Sequence, residues 1–300
     1  SSIAYLNGRF QLLERTSVPV LDRGFLFGDG VYEVVPVYNG RPFQLSAHLK
    51  RLRNSLGSAR IANPMTEMQW VQLVRDLIEQ NGEGDQSIYI QITRGVAPRN
   101  HAFPDQASPT LFLMSQPLPA DADETSRVGA SVLTQDDFRW QRCDIKSVSL
   151  MANVLLRQMA ADQGANEVVL LRDGFVTEGA ASNVFAVMSG EVVTPPLSHR
   201  VLPGITRKVV LGLCRQLDLP VREAEITQRS LQQADEIWLT GSTRGIVPVT
   251  TLDGRPVGEG ASGPLWERVA RAYRRRCGSL VPENHVAPHE ALTQDAREAV

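Results

Sequence analysis

The sequence predicts an α+β fold in two domains, and three observations carry that expectation. Two hairpin signals, Asn7-Gly8 and Asn39-Gly40, each flanked by apolar or alternating runs, place strands early in the chain. Helical and strand-like patterns then mix without strict βαβ alternation, which disfavours a doubly wound sheet. A Pro/Ala/Asp-rich stretch at 117–124 reads as a linker, and 300 residues suit two domains at about 100–200 residues each. The expected division is 1–118, 125–280 and a tail at 281–300.

The first hairpin joins residues 3–6 to 9–12 and the second joins 31–38 to 41–43. Ser46 can cap a helix over 46–58, with Leu49, Leu52 and Leu56 on one face. Thr66, followed by Gln69, forms a capping-box signature opening a helix to about residue 79. Residues 87–93 and 110–115 are strand-like. Beyond the linker, 128–134, 167–171, 184–187, 236–240 and 246–249 read as strands, and 149–162, 206–216 and 265–276 as helices. Past residue 281, scattered charge and weak periodicity predict a loosely packed tail.

Charged residues make up 21% of the chain and net charge is −2, which argues against nucleic acid or an anionic membrane as partner. The Arg274-Arg275-Arg276 cluster reads as the solvated end of a helix. No apolar run approaches the 18 or so residues a membrane span needs. The three cysteines (Cys143, Cys214, Cys277) are odd in number and widely spaced, which suggests free thiols and neither a disulfide frame nor a metal site. The first residues lack a signal-peptide pattern, so the cytoplasm is the expected location.

Only three of the 31 basic residues are lysines: Lys50, Lys146 and Lys208. An arginine does not deprotonate and cannot serve as an amine nucleophile, so each lysine raises the question of a special role. Lys50 and Lys208 sit on helical faces beside arginines and read as solvated charges. Lys146 lies in Cys143-Asp144-Ile145-Lys146-Ser147-Val148, too polar for a core strand and too apolar for a free loop. An amine among apolar groups is suited to forming a Schiff base with a carbonyl.

Two segments could hold a phosphate. Pro203-Gly204-Ile205-Thr206 leads into a helix whose free N–H groups favour an anion. Thr240-Gly241-Ser242-Thr243-Arg244-Gly245 follows a strand and could form a backbone nest or simply a hairpin loop. Glu178, after the turn Arg172-Asp173-Gly174, is the carboxylate that a protonated pyridine nitrogen would need, or a solvated turn residue. Arg99 and His101, two apart in a Pro-containing loop, can converge on one carboxylate, although spacing alone reads as well as a polar surface loop.

Taken together, these segments resemble fold-type IV pyridoxal-phosphate enzymes, the class IV aminotransferases. The run Asp22-Arg23-Gly24-Phe25-Leu26-Phe27-Gly28-Asp29-Gly30-Val31-Tyr32-Glu33 is similar to the family's N-terminal signature. Asp144-Ile145-Lys146-Ser147 resembles its cofactor-lysine segment. Val176-Thr177-Glu178-Gly179 with Ser182-Asn183-Val184-Phe185 resembles its pyridine-nitrogen segment, and Gly204-Ile205-Thr206-Arg207 its phosphate-binding helix start. Order and spacing agree from about residue 3 to 276. Arg99-Asn100-His101 with Tyr32 resembles the carboxylate trap of the D-amino-acid aminotransferases.

The resemblance implies a small α/β domain, a larger pseudo-barrel domain and a homodimer. It implies pyridoxal 5'-phosphate bound covalently to Lys146, its ring nitrogen on Glu178 and its ring against Leu202. The phosphate would lie among Arg51, Ile205, Thr206 and Ser242. Tyr32, Arg99 and His101 would hold the substrate carboxylate, the last two from the partner subunit. The implied reaction is a ping-pong transamination between a D-amino acid such as D-alanine and a 2-oxo acid such as 2-oxoglutarate. An aminodeoxychorismate lyase, or a transaminase for L-branched-chain amino acids or primary amines, is the alternative.

Overall fold

The computed structural model describes residues 2–82, 84–118 and 128–278, so residues 119–124 of the expected linker and the tail at 281–300 lie outside the described residues. A six-stranded antiparallel sheet forms first. It contains β1 (Ile3–Leu6), β2 (Arg9–Leu12), β3 (Gly30–Tyr38), β4 (Arg41–Pro42), β5 (Gln86–Thr93) and β6 (Thr110–Pro117), in the order β2-β1-β6-β5-β3-β4. Both expected hairpins are present, with Asn7 and Asn39 at positive φ, as Asn-Gly turns require.

Two helices cover this sheet. In α2 (Leu45–Ala59), Leu49, Leu52 and Leu56 pack on Val31, Val35 and Val37 of β3. The helix begins at Leu45, so Ser46 is not its cap; Gln44 precedes it in a left-handed turn and makes no side-chain cap bond. The Thr66–Gln69 capping box is present at the head of α3 (Glu67–Asn81). Between β2 and β3, the short α1 (Arg23–Phe27) was not legible as a helix. Asp22 caps it by accepting from Gly24 N at 2.8 Å, and Gly28 ends it at φ 65°.

The second sheet has nine strands: β7 (Ala130–Asp136), β8 (Glu167–Arg172), β9 (Phe175–Gly179), β10 (Asn183–Met188), β11 (Glu191–Thr194), β12 (Val221–Glu223), β13 (Glu236–Gly241), β14 (Gly245–Leu252) and β15 (Arg255–Pro256). Its order is β12-β11-β10-β13-β14-β7-β8-β9, with β15 on β14. Pairing is mixed: β7 runs parallel to both β8 and β14. The sheet curls, because its last strand, β9, returns to β10 through Gly179 N to Ser182 O at 2.7 Å. Its strands β8, β10 and β13 are buried on both faces, which explains their apolar runs. Val184, Ala186, Ile237 and Leu239 point to one core, while Phe185, Val187 and Trp238 point to another, shared with α5 (Ile205–Gln216) and α7 (Pro264–Gly278). The remaining helices are α4 (Met151–Asp162), against β8, and the short α6 (Gln228–Gln232). Arg274, Arg275 and Arg276 are exposed near the end of α7, as expected. Among the described residues no helix is long and apolar enough to cross a membrane, and no His/Cys/Asp/Glu group is placed to hold a metal ion.

The two sheets meet along residues 144–148. Val31 of β3 bridges Ser147, Tyr32 N donates to Lys146 O at 2.9 Å, and Val148 N donates to Gly30 O at 3.0 Å. This contact positions the site.

Candidate active site

Lys146 is placed by its neighbour. Ile145 is buried against the core of the six-stranded sheet, and the turn at 143–145 presents Lys146 to the cleft, which both residues line. The bond from the Lys146 backbone N to Ser55 Oγ, 3.2 Å, ties the segment to α2. Its Nζ lies 4.1 Å from the Tyr32 ring centroid. Lys50 and Lys208 are exposed, as read from their helical faces.

Every residue expected at the cofactor lines this cleft: Lys146, Arg51, Glu178, Leu202, Ile205, Thr206 and Ser242, with Tyr32 beside them. Glu178 is not a solvated turn residue. It sits in β9 and is 4% exposed. Its Oε1 accepts from Arg139 Nη1 at 2.5 Å, and its Oε2 accepts from Asn183 Nδ2 at 3.1 Å and Leu202 N at 3.0 Å. Burial pushes its carboxyl up to about 7, against the opposing pull of Arg139. Arg139 does not neutralise it fully because Asp137 shares the same guanidinium through two 2.9 Å contacts.

Arg51 is buried on α2, so it departs from the solvated basic face that its sequence neighbours suggest. Its Nε and Nη2 donate to the two oxygens of Glu33 at 2.7 and 2.8 Å, and Nη1 donates to Pro203 O at 3.1 Å. The last contact joins α2 to the approach to α5. His48 Nδ1 lies 2.8 Å from Glu33 Oε2. Burial alone would raise the Glu33 carboxyl; Arg51 and His48 outweigh it and hold it far below the ordinary range.

The head of α5 contributes its free N–H groups. Gly204 is required there, since a Cβ would come within 1.9 Å of Asn183 Oδ1. Opposite, 240–245 is the turn of the β13–β14 hairpin, and Thr240, Gly241 and Ser242 also line the cleft.

Arg99 and His101 do not line the cleft of their own chain. They are exposed, 5.3 and 5.4 Å from the Phe27 ring centroid. Their loop is held from behind by Arg23, which donates to Asn100 O at 2.5 Å, to His101 O at 3.3 Å and to Asp29 Oδ2 at 2.8 Å.

Sequence reasoning gave no role to His48 or Arg139, and no individual role to Glu33, Ser182, Asn183 or Thr240 within their segments. Glu33 had a signal: it lies in phase with Val31, Val35 and Val37 on the core face of β3. So did His48, Arg51 and Ser55, a polar stripe at helical spacing on the buried face of α2. Arg139 had none, because its partners come from distant strands.

The residues suit pyridoxal phosphate. Ser182 Oγ and Thr240 Oγ1 line the cleft as buried hydroxyls without a hydrogen-bond partner among the described residues. Glu178 accepts three hydrogen bonds where a carboxylate has about four sites, leaving room for a ring N–H. Arg51 and the α5 head supply anion contacts around the same space.

A family model described as amino-transferase class IV matches residues 30–252. The chain is 40% identical to the D-alanine aminotransferase of Bacillus licheniformis over 268 residues, covering 89% of this chain and 94% of that protein. It is 37% identical to the D-alanine aminotransferase of Listeria monocytogenes serovar 1/2a, covering 89% and 95%. Among solved structures, the T.th. branched-chain amino acid aminotransferase with pyridoxamine 5'-phosphate superposes at TM-score 0.86 with 26% identity, covering 94% and 95%. The Escherichia coli branched-chain amino acid aminotransferase superposes at 0.82 with 26% identity, covering 91% and 93%.

Proposed function

The chain belongs to the class IV aminotransferases, enzymes that work with pyridoxal phosphate, and on that premise we propose that it transfers an amino group between a D-amino acid such as D-alanine and a 2-oxo acid such as 2-oxoglutarate, in a ping-pong cycle. The observation carrying the chemistry is the single cleft lined by Lys146, Glu178, Arg51 and Thr206. Support for the D-amino acid comes from the D-alanine aminotransferases at 34–40% identity and from the Arg99-Asn100-His101 loop.

When bound, the cofactor supplies an aldehyde that condenses with amines and an electron-poor ring. Lys146 Nζ would hold the cofactor covalently and, once displaced by the substrate amine, would carry the proton between the substrate Cα and the cofactor C4′. The free acceptor site of Glu178 would hold a protonated ring nitrogen, and Leu202 would pack on the ring. Arg51, the backbone N–H groups of Ile205 and Thr206, and the Thr206 and Ser242 hydroxyls would bind the phosphate.

Tyr32, Arg99 and His101 would bind the substrate carboxylate. Because Arg99 and His101 face outward, they would serve the cleft of a second copy. A homodimer also suits the exposed apolar side chains Phe25, Phe103, Met151 and Val154. A domain boundary between β6 and β7 would leave one sheet in each domain, and three free cysteines suit the cytoplasm.

Titration of the purified holoenzyme with D- and L-alanine, followed by cofactor absorbance, tests this reading. The D-form alone should bleach the band. An equal response to L-leucine or L-valine would overturn the D assignment, and pyruvate release from aminodeoxychorismate would favour the lyase.

A further inference from the structure

A second cavity opens off the cofactor cleft. Tyr32, Lys146, Ser182, Thr240 and Ser242 line both, so the two spaces adjoin at the lysine. A substrate with its Cα at Lys146 can direct its side chain into this cavity. Its lining also holds Arg157, Glu167 and Arg244.

Arg157 projects from α4, and its Nη1 is buried without a hydrogen-bond partner among the described residues. The Glu167 Oε1 atom lies 3.6 Å from it, and that oxygen already accepts Val168 N at 3.0 Å. A guanidinium stays charged and offers five donors in a planar fork, so an edge turned from Glu167 can take a second carboxylate. The Arg157 side chain is 38% exposed, so the cavity is open to water beside it and the contact is partly screened.

Resting on the aminotransferase reading above, we propose that this cavity is the subsite for the distal carboxylate of a dicarboxylic substrate, such as 2-oxoglutarate or D-glutamate, with Arg157 as its anchor. Glu167 holds the Arg157 side chain against the wall. Monocarboxylic acids such as pyruvate occupy the cleft without reaching Arg157.

The test uses the holoenzyme and Arg157→Met, which keeps the stem and deletes the charge, with Arg157→Lys as the conservative variant. The ratio of kcat/KM for 2-oxoglutarate to that for pyruvate, with D-alanine as donor, should fall about tenfold or more in Arg157→Met and recover in part in Arg157→Lys. Binding of glutarate, an unreactive dicarboxylate, should weaken by a similar factor while binding of butyrate does not. An unchanged ratio, or equal losses for both acceptors, overturns the subsite and leaves the aminotransferase reading standing. A parent holoenzyme that uses neither acceptor with D-alanine overturns both.

Discussion

Glu33 and Arg51 form a buried two-pronged ion pair, at 2.7 and 2.8 Å, that links the small sheet to the cofactor cleft. Because Arg51 also holds Pro203 O, Glu33 fixes the guanidinium that borders the proposed phosphate site. Glu33→Gln should destabilise the protein by about 3–5 kcal/mol at pH 7, as expected for breaking a buried pair. The Glu33 carboxyl is held below its ordinary value of 4.5. Its contribution is therefore present above that value and declines as pH falls below it. The stability gap between parent and variant in urea titrations should narrow as pH falls below 4.5; a constant gap would refute the assignment.

Glu178 has the opposite sign. Its folded value, about 7, lies above the ordinary 4.5. Its contribution is complete below 4.5 and is lost as pH rises through 7, reaching roughly 3 kcal/mol at alkaline pH. Cofactor-free Glu178→Gln should lack that decline, so the difference in Tm between parent and variant should change between pH 5 and pH 8. Parallel curves would show that Glu178 is not titrating there.

The outward placement of Arg99 predicts complementation. Lys146→Ala and Arg99→Ala chains should each be nearly inactive as homodimers, the first by at least about 1,000-fold. Refolded together in equal amounts, half the dimers are mixed, and each mixed dimer has one site with both residues intact. Activity should recover to about a quarter of the parent value. No recovery would mean that Arg99 serves its own chain.

The capping box at Thr66 gives a control remote from the cleft. Thr66 Oγ1 accepts from Gln69 N, and Gln69 Oε1 accepts from Thr66 N at 2.8 Å. Thr66→Ala should cost about 1 kcal/mol of stability with kcat/KM unaltered, as read by thermal unfolding and a steady-state assay.

The sequence by itself determined the local structure and the chemical inventory. Hairpins showed because Asn-Gly turns have their own backbone preference, α3 because its cap is written within four residues, and the core of α2 because Leu49, Leu52 and Leu56 recur at helical spacing. Lys146, Glu178 and Thr206 were recognisable from their motifs, whereas Arg51 was placed only by the family resemblance. Only the tertiary structure decided which groups are charged, paired and buried together. Glu178 is pushed to about 7 because β9 is sealed inside a curled sheet, and Arg139 reaches it from another part of the chain, 39 positions away. Arg99 and His101 lie on the surface against Phe27 and outside their own chain's cleft. The physical reason is range: turn and cap preferences act over a few residues, whereas desolvation and ion pairing depend on which distant segments the fold brings within a few ångströms.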